Sequence, residues 1–168
     1  MDGAMAGPQV KLEVRDVHHT FEGHDGAAVT ALEGVNLSIP ENRFISLLGP
    51  SGCGKSTIFN IIAGLVSPSG GDIYLDNQKI TNMIGFIGYM LQKDLLLPWR
   101  TVLDNVILGM ELQGTPKSEA RERAHEYFER YGLAGFEKQY PAALSGGMRQ
   151  RAALLRTLLY DSDVILLD

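Results

Sequence analysis

Residues 49 to 57 read GPSGCGKST, and no other stretch constrains the chain as tightly. They follow the continuous apolar run RFISLLG and lead into KSTIFNIIAG, so the pattern G-x-x-x-x-G-K-[ST] falls between a predicted strand and a predicted helix. Gly49 and Gly54 let the backbone wrap closely round phosphate oxygens. The loop amides and the helix N-terminus present partial positive charge there, and Lys55 adds a full one. Ser56 would offer its hydroxyl to Mg²⁺. A glycine-rich turn of no function is the alternative. With glycine at about 7% of residues, a chance match is on the order of one chain in a hundred, and the strand–turn–helix context favours phosphate.

That positive field is local, because the chain as a whole is acidic. Its net charge of −5 and pI near 5.3 argue against a general nucleic-acid or anionic-membrane binder. At 168 residues, 45% hydrophobic and 21% charged, it reads as one globular domain with its own core. MDGAMAGPQV has no basic start followed by an apolar stretch, and runs such as MIGFIGYML are too short to cross a bilayer, which predicts a soluble, unexported chain. The single cysteine, Cys53, excludes an internal disulfide and any multi-cysteine zinc site.

Strands and helices alternate along the sequence. Val10, Leu12 and Val14 alternate with polar residues, GVNLSIP alternates again, and GDIYLD and FIGYMLQ read as further strands around a helix closed by Gly64. Strand, helix, strand favours a parallel sheet with helical crossovers. From Thr101 to Tyr131 the period turns helical, with Ala120, Ala124, Tyr127, Phe128 and Tyr131 on one stripe and Arg121, Glu122, Arg123 and Glu126 on the other. Pro116 suits a helix start.

A second glycine-led helix begins at LSGGMRQR, residues 144 to 151. Ser145 is a good N-cap, and Gly146 and Gly147 leave the first turn open to a close-lying anion. Alone, the segment is equally an ordinary capped helix burying Met148, Ala152, Leu155 and Leu159. Beside the phosphate loop, the anion reading is the better one.

With these residues in view, the chain resembles the ATPase subunit of an ABC transporter. GPSGCGKST resembles the Walker A loop, YMLQ ending in Gln92 the Q-loop, LSGGMRQR the signature and VILLD the Walker B strand, all in family order from about Val10 to Asp168. QKDLLLPWRTVLDNV is similar to importers of the nitrate, sulfonate and taurine group. The resemblance implies an α/β P-loop NTPase fold of the RecA-like kind, with a mostly parallel core sheet, an N-terminal antiparallel β part and a helical insert. Residues 1–94 would form the nucleotide-binding core with Walker A and the Q-loop, 95–143 the insert, and 144–168 the signature helix and Walker B strand.

It also implies roles for single residues. The cofactors would be ATP and Mg²⁺. Lys55 would neutralise the β and γ phosphates inside a cradle of Gly49, Pro50, Ser51, Gly52, Cys53, Gly54, Ser56 and Thr57. Ser56 and Asp168 would hold the metal, and Gln92 would sense the metal and the γ phosphate. Ser145, Gly146 and Gly147 would face ATP held by a second subunit, so monomers should bind but hardly hydrolyse. Phe21 falls where the family places a ring that stacks on adenine; the plainer reading is a core residue at a strand end. The implied partners are membrane permease subunits, a second ATPase subunit, with a homodimer expected, and indirectly a solute-binding protein, with no nucleic acid. The expected location is the cytoplasmic side of the membrane, peripherally attached.

Other residues take ordinary readings. His18 and His19 have no acid at ligand spacing and read as exposed strand positions. Cys53 lies where a helix N-terminus and Lys55 would lower a thiol pKa, but it also suits a small space-filler. Trp99, with Pro98 and Leu95 to Leu97, forms an apolar loop that is either core or a permease-docking surface. Asn42 stands where the family usually has glycine, and asparagine tolerates the same left-handed backbone.

The sequence stops at Asp168, whereas the family follows that aspartate with a catalytic glutamate, a partner-contacting loop and a γ-phosphate-gripping histidine. The resemblance therefore implies that the C-terminal part of the domain, with its general base and a central strand, is not in this chain. The alternative to a hydrolysing importer subunit is a truncated module that binds MgATP without appreciable turnover. Without that strand, two central strands would lack a neighbour, and the isolated chain is expected to be poorly soluble or partly molten.

Overall fold

The computed structural model describes residues 9–23 and 27–168, so most of the N-terminal stretch read for targeting signals lies outside the described residues. The chain divides into two compact units, one up to Phe86 and one from Ile87 onward.

The first unit is built on a four-stranded antiparallel sheet. Strands β1 (Val10–Glu22), β2 (Ala28–Pro40), β3 (Gly70–Leu75) and β4 (Gln78–Lys79) take the order β2-β1-β3-β4. Leu12, Val14, Val17 and Ile73 are buried, as the alternation predicts for a sheet with one covered face. The β1 register shifts between Val14 and Val17, around Asp16 at φ +48°. That irregularity carries Val17 and His19 inward and corrects the reading of the two histidines. His19 is only 9% exposed. His18 does have an acid beside it: its Nε2 lies 3.1 Å from Asp16 Oδ1, while its Nδ1 accepts from the Gly34 amide at 3.1 Å. Helix α1 (Lys55–Ile62) buries Ile58, Ile61 and Ile62. It closes where expected: Gly64 sits at φ +75°, and the Leu65 amide reaches back to the Asn60 carbonyl at 2.8 Å.

The strand expected over RFISLLG does not form. Residues 43–48 carry no ladder, and Phe44 and Leu48 are 87% and 93% exposed. Extended backbone becomes a strand only when a neighbour takes up its N–H and C=O groups, and none lies beside this segment among the described residues. Asn42, at φ +56°, does hold the left-handed turn expected of it.

In the second unit, β5 (Gly88–Met90) and β6 (Ile165–Leu167) form a parallel pair. Helices α2 (Val102–Val106), α3 (Leu108–Leu112), α4 (Lys117–Arg130) and α5 (Gly146–Leu158) pack round one core, in which Val106, Ile107, Met110, Phe128 and Leu155 are fully enclosed. The predicted stripe of α4 divides as the 3.6 period requires: Ala120, Ala124 and Phe128 are buried, and the charged residues face water. Asn105 is buried and ties the loop before α2 in place. It accepts from the Leu97 amide at 2.7 Å and donates to the carbonyls of Leu97, Arg100 and Thr101. Leu96 therefore enters the core, while Leu95, Pro98 and Trp99 (72% exposed) stay at the surface.

Candidate nucleotide-binding site

The phosphate-loop residues all lie in the first unit, at the start of α1. Gly54 caps that helix at φ +92°, and no side chain occupies the cap. Only glycine fits here: a Cβ on Gly54 would come within 2.7 Å of both the Ala31 carbonyl oxygen and Leu32 Cδ2 of β2. The loop is thus pressed onto β2, and it tightens further through the Cys53 amide, 3.4 Å from the Pro50 carbonyl. Lys55 folds back over the loop, its Nζ donating to the carbonyls of Gly49 at 2.8 Å and Pro50 at 2.7 Å. Cys53 Sγ lies 3.5 Å from the same ammonium. Pro50, Ser51, Gly52, Cys53 and Ser56 are exposed, with Thr57 half-buried behind them. No acid stands in the first turn of α1, so nothing there repels an anion.

Phe21 lies on β1 near the hairpin and is 48% exposed, too open for a core residue. Its ring meets His19 edge to face, with centroids 4.4 Å apart and planes at 84°.

The remaining candidates belong to the second unit. Ser145 caps α5, its hydroxyl accepting from the Met148 amide at 3.3 Å. Gly146 and Gly147 are exposed, nothing would meet a Cβ on Gly147 within 4 Å, and the first turn holds no acid. Asp168 continues the β5–β6 ladder, donating its amide to the Met90 carbonyl at 3.0 Å. This brings Asp168 and Gln92 to the same, carboxyl end of the parallel pair, both exposed. Ligands of open parallel sheets bind outside that edge. The Tyr89 hydroxyl lies 3.4 Å from Asp168 Oδ2, and burial first, then the Asp168 charge, pushes its phenol up to about 12.

Several residues around the loop after β5 escaped the sequence reading. Helix α5 holds that loop at three points. Arg149 Nε bonds Asp94 Oδ2 at 3.1 Å, Gln150 donates to the Gln92 carbonyl at 3.3 Å, and Arg156 grips the carbonyls of Asp94 and Leu95 at 2.6 and 2.8 Å. Arg156 has its pKa lowered by burial. These partners stand about 60 residues apart in sequence, so no local spacing announces them.

The family model described as ABC transporter matches residues 32–168, from β2 through both glycine-led helices to Asp168. The chain belongs to the ABC transporter family. An uncharacterized ABC transporter ATP-binding protein of Methanocaldococcus jannaschii is 46% identical over 160 residues, 95% of this chain and 60% of that protein. The taurine import ATP-binding protein TauB of Rhizobium johnstonii is 43% identical over 157 residues, 94% of this chain and 60% of its own length. This ABC chain thus spans about 60% of the length of those curated relatives. A solved dimeric ATP-binding cassette, in a post-hydrolysis state bound to ADP and Pi, superposes with a TM-score of 0.82 at 36% identity, covering 94% of this chain and 73% of that one. The fold is therefore that of the P-loop cassettes, and the resemblance of the chain to an ABC ATP-binding subunit stands.

Proposed function

We propose that this chain belongs to the ATP-binding and hydrolysing subunit that energises an ABC-type membrane importer, for solutes of the nitrate, sulfonate and taurine kind. The observation that carries this reading is the presence, in one chain, of two helices that begin on glycine without an acid in the first turn, one led by Lys55 and one by Ser145. Each is an anion seat, and a triphosphate shared between two subunits needs one of each kind.

In this reading, Lys55 leaves the Gly49 and Pro50 carbonyls to meet the β and γ phosphates, cradled by the amides from Gly52 to Ser56. Phe21 stacks on adenine. Ser145, Gly146 and Gly147 face the γ phosphate of ATP bound to a second copy, which makes a homodimer the working form. The chemistry of the donors suits Mg²⁺: a serine hydroxyl, a carboxamide and an exposed carboxylate are hard oxygen ligands. Ser56, Gln92 and Asp168 would hold the ion, which would neutralise phosphate charge.

Residues 1–94 serve as the nucleotide-binding core, 95–143 as the helical insert and 144–168 as the signature and Walker B return. Exposed Leu95, Pro98 and Trp99 offer the permease an apolar docking surface, on the cytoplasmic side of the membrane. No helix among the described residues is long and apolar enough to cross a membrane itself. The solute-binding protein is reached only through the permease.

Titrating the protein with a fluorescent ATP analogue in the presence of Mg²⁺, and following phosphate release, tests the proposal. Wild-type protein should bind and Lys55→Ala should lose binding by on the order of a hundredfold. Equal binding by the two proteins, or none by the wild type, would overturn it.

A further inference from the structure

His19 has a side chain that the proposed function does not use, and burying it is costly. Its Nδ1 and Nε2 are both enclosed without a hydrogen-bond partner among the described residues, where a leucine would fill the space with no polar atom to desolvate. Among the described residues its ring meets Phe21, edge to face at 4.4 Å. The two residues stand two positions apart on β1, and the ring contact puts them on the same side of the strand. Across the ladder, His19 lies opposite Leu32, whose side chain would be struck by a Cβ on Gly54. Leu32 thus neighbours the phosphate loop on one side and is the cross-strand partner of His19 on the other, and His19 in turn meets the Phe21 ring.

We propose that His19 is a positioning residue for the nucleobase: it holds the exposed Phe21 ring in one orientation, at a fixed place relative to the phosphate loop. The inference rests on the reading of Phe21 as the base-stacking ring. An exposed phenylalanine near a hairpin end would otherwise exchange among rotamers, and a base would have to freeze it on binding. The buried imidazole removes that freedom beforehand, so the ring face is already presented when the phosphates settle on the loop. His19 itself touches no part of the nucleotide.

The role predicts an effect that depends on the base. Affinities of MgATP and of magnesium tripolyphosphate are measured by calorimetry for the wild type, His19→Leu, His19→Phe and Phe21→Ala. His19→Leu and Phe21→Ala should each weaken ATP by about three- to tenfold, the range for loss of one aromatic contact, and leave tripolyphosphate unchanged. His19→Phe, which keeps an aromatic edge, should bind ATP like the wild type. If Phe21→Ala weakens ATP while His19→Leu does not, the positioning role fails and the stacking reading survives. If Phe21→Ala binds ATP normally, the stacking reading itself fails. Equal weakening of both ligands by His19→Leu would show a merely structural histidine, and a loss in His19→Phe as large as in His19→Leu would exclude the aromatic contact. If His19→Leu does not fold, His19→Met replaces it in each comparison.

Discussion

Helices α1 and α5 both start on glycine and both leave the first turn free of acid, yet their glycines are there for different reasons. At α1 the protein's own packing demands glycine. Gly54 sits at φ +92° with the Ala31 carbonyl and Leu32 where a side chain would go. At α5 the protein demands nothing of the kind. Gly147 has no positive φ and open space around its Cα, and Ser145 already satisfies the cap. A helix interior prefers alanine to glycine by up to about 1 kcal/mol, so on the proposed reading this bare position, which the fold does not require, is kept clear for an anion from outside the chain. The glycine of the first helix is set by packing within the chain, and that of the second is not.

The largest effect that could break this contrast belongs to Gly54→Ala. The left-handed backbone alone costs roughly 1–2 kcal/mol for a non-glycine residue, and displacing a main-chain carbonyl adds to it, so about 2–4 kcal/mol of stability should go, together with nucleotide binding. Thermal unfolding and a nucleotide titration on the same sample check this. An alanine variant that melts and binds normally would mean that the loop is not pressed on β2.

Gly147→Ala should do the opposite to stability. Removing a glycine from an open first turn should raise helix stability by roughly 0.5 kcal/mol and leave ATP binding by one subunit unchanged. On the proposed reading, in which that turn faces the γ phosphate held by a second subunit, turnover by the assembled ATPase should fall by on the order of a hundredfold. Turnover that rises with stability would remove the reason for reading α5 as an anion seat.

Ser145→Ala isolates the cap. Its hydroxyl accepts one amide bond at 3.3 Å, so α5 should lose about 1 kcal/mol by thermal unfolding. A serine placed at position 54 should give no matching gain at α1, because φ +92° is not the extended backbone from which a side chain caps.

How far these regions were legible in the sequence depends on the reach of the interactions. GPSGCGKST, the capped LSGG helix and the α4 stripe were readable because turn chemistry, capping and helical period act within a few residues. The strand over 43–48 was misread because apolar content says that a segment wants burial, whereas a ladder needs a neighbour. His19 was misplaced because an irregularity at Asp16 reset the inward face of β1, and one residue of slip is invisible to an alternation count. The clasp of Arg149, Gln150 and Arg156 on the loop after β5 arises only once the chain has folded back.

If both helix ends supply the positive half of the site, the negative half must lie elsewhere, and Asp168 at the end of the β5–β6 pair is the candidate. Tyr89 reports on it with almost no effect at neutral pH, which makes this the smallest of the expected changes. Burial and the carboxylate together raise the phenol in the folded protein to about 12, above its ordinary value near 10. A raised value in the folded state means that the stability Tyr89 contributes is fully present below pH 10 and is lost as pH climbs toward 12. Ultraviolet titration of the phenolate should show one tyrosine ionising late. Asp168→Asn removes the charge and leaves the burial, so that step should move down only part of the way. A Tyr89 titration indifferent to this change would separate the phenol from the acid and leave the contrast between the two helices without its negative counterpart.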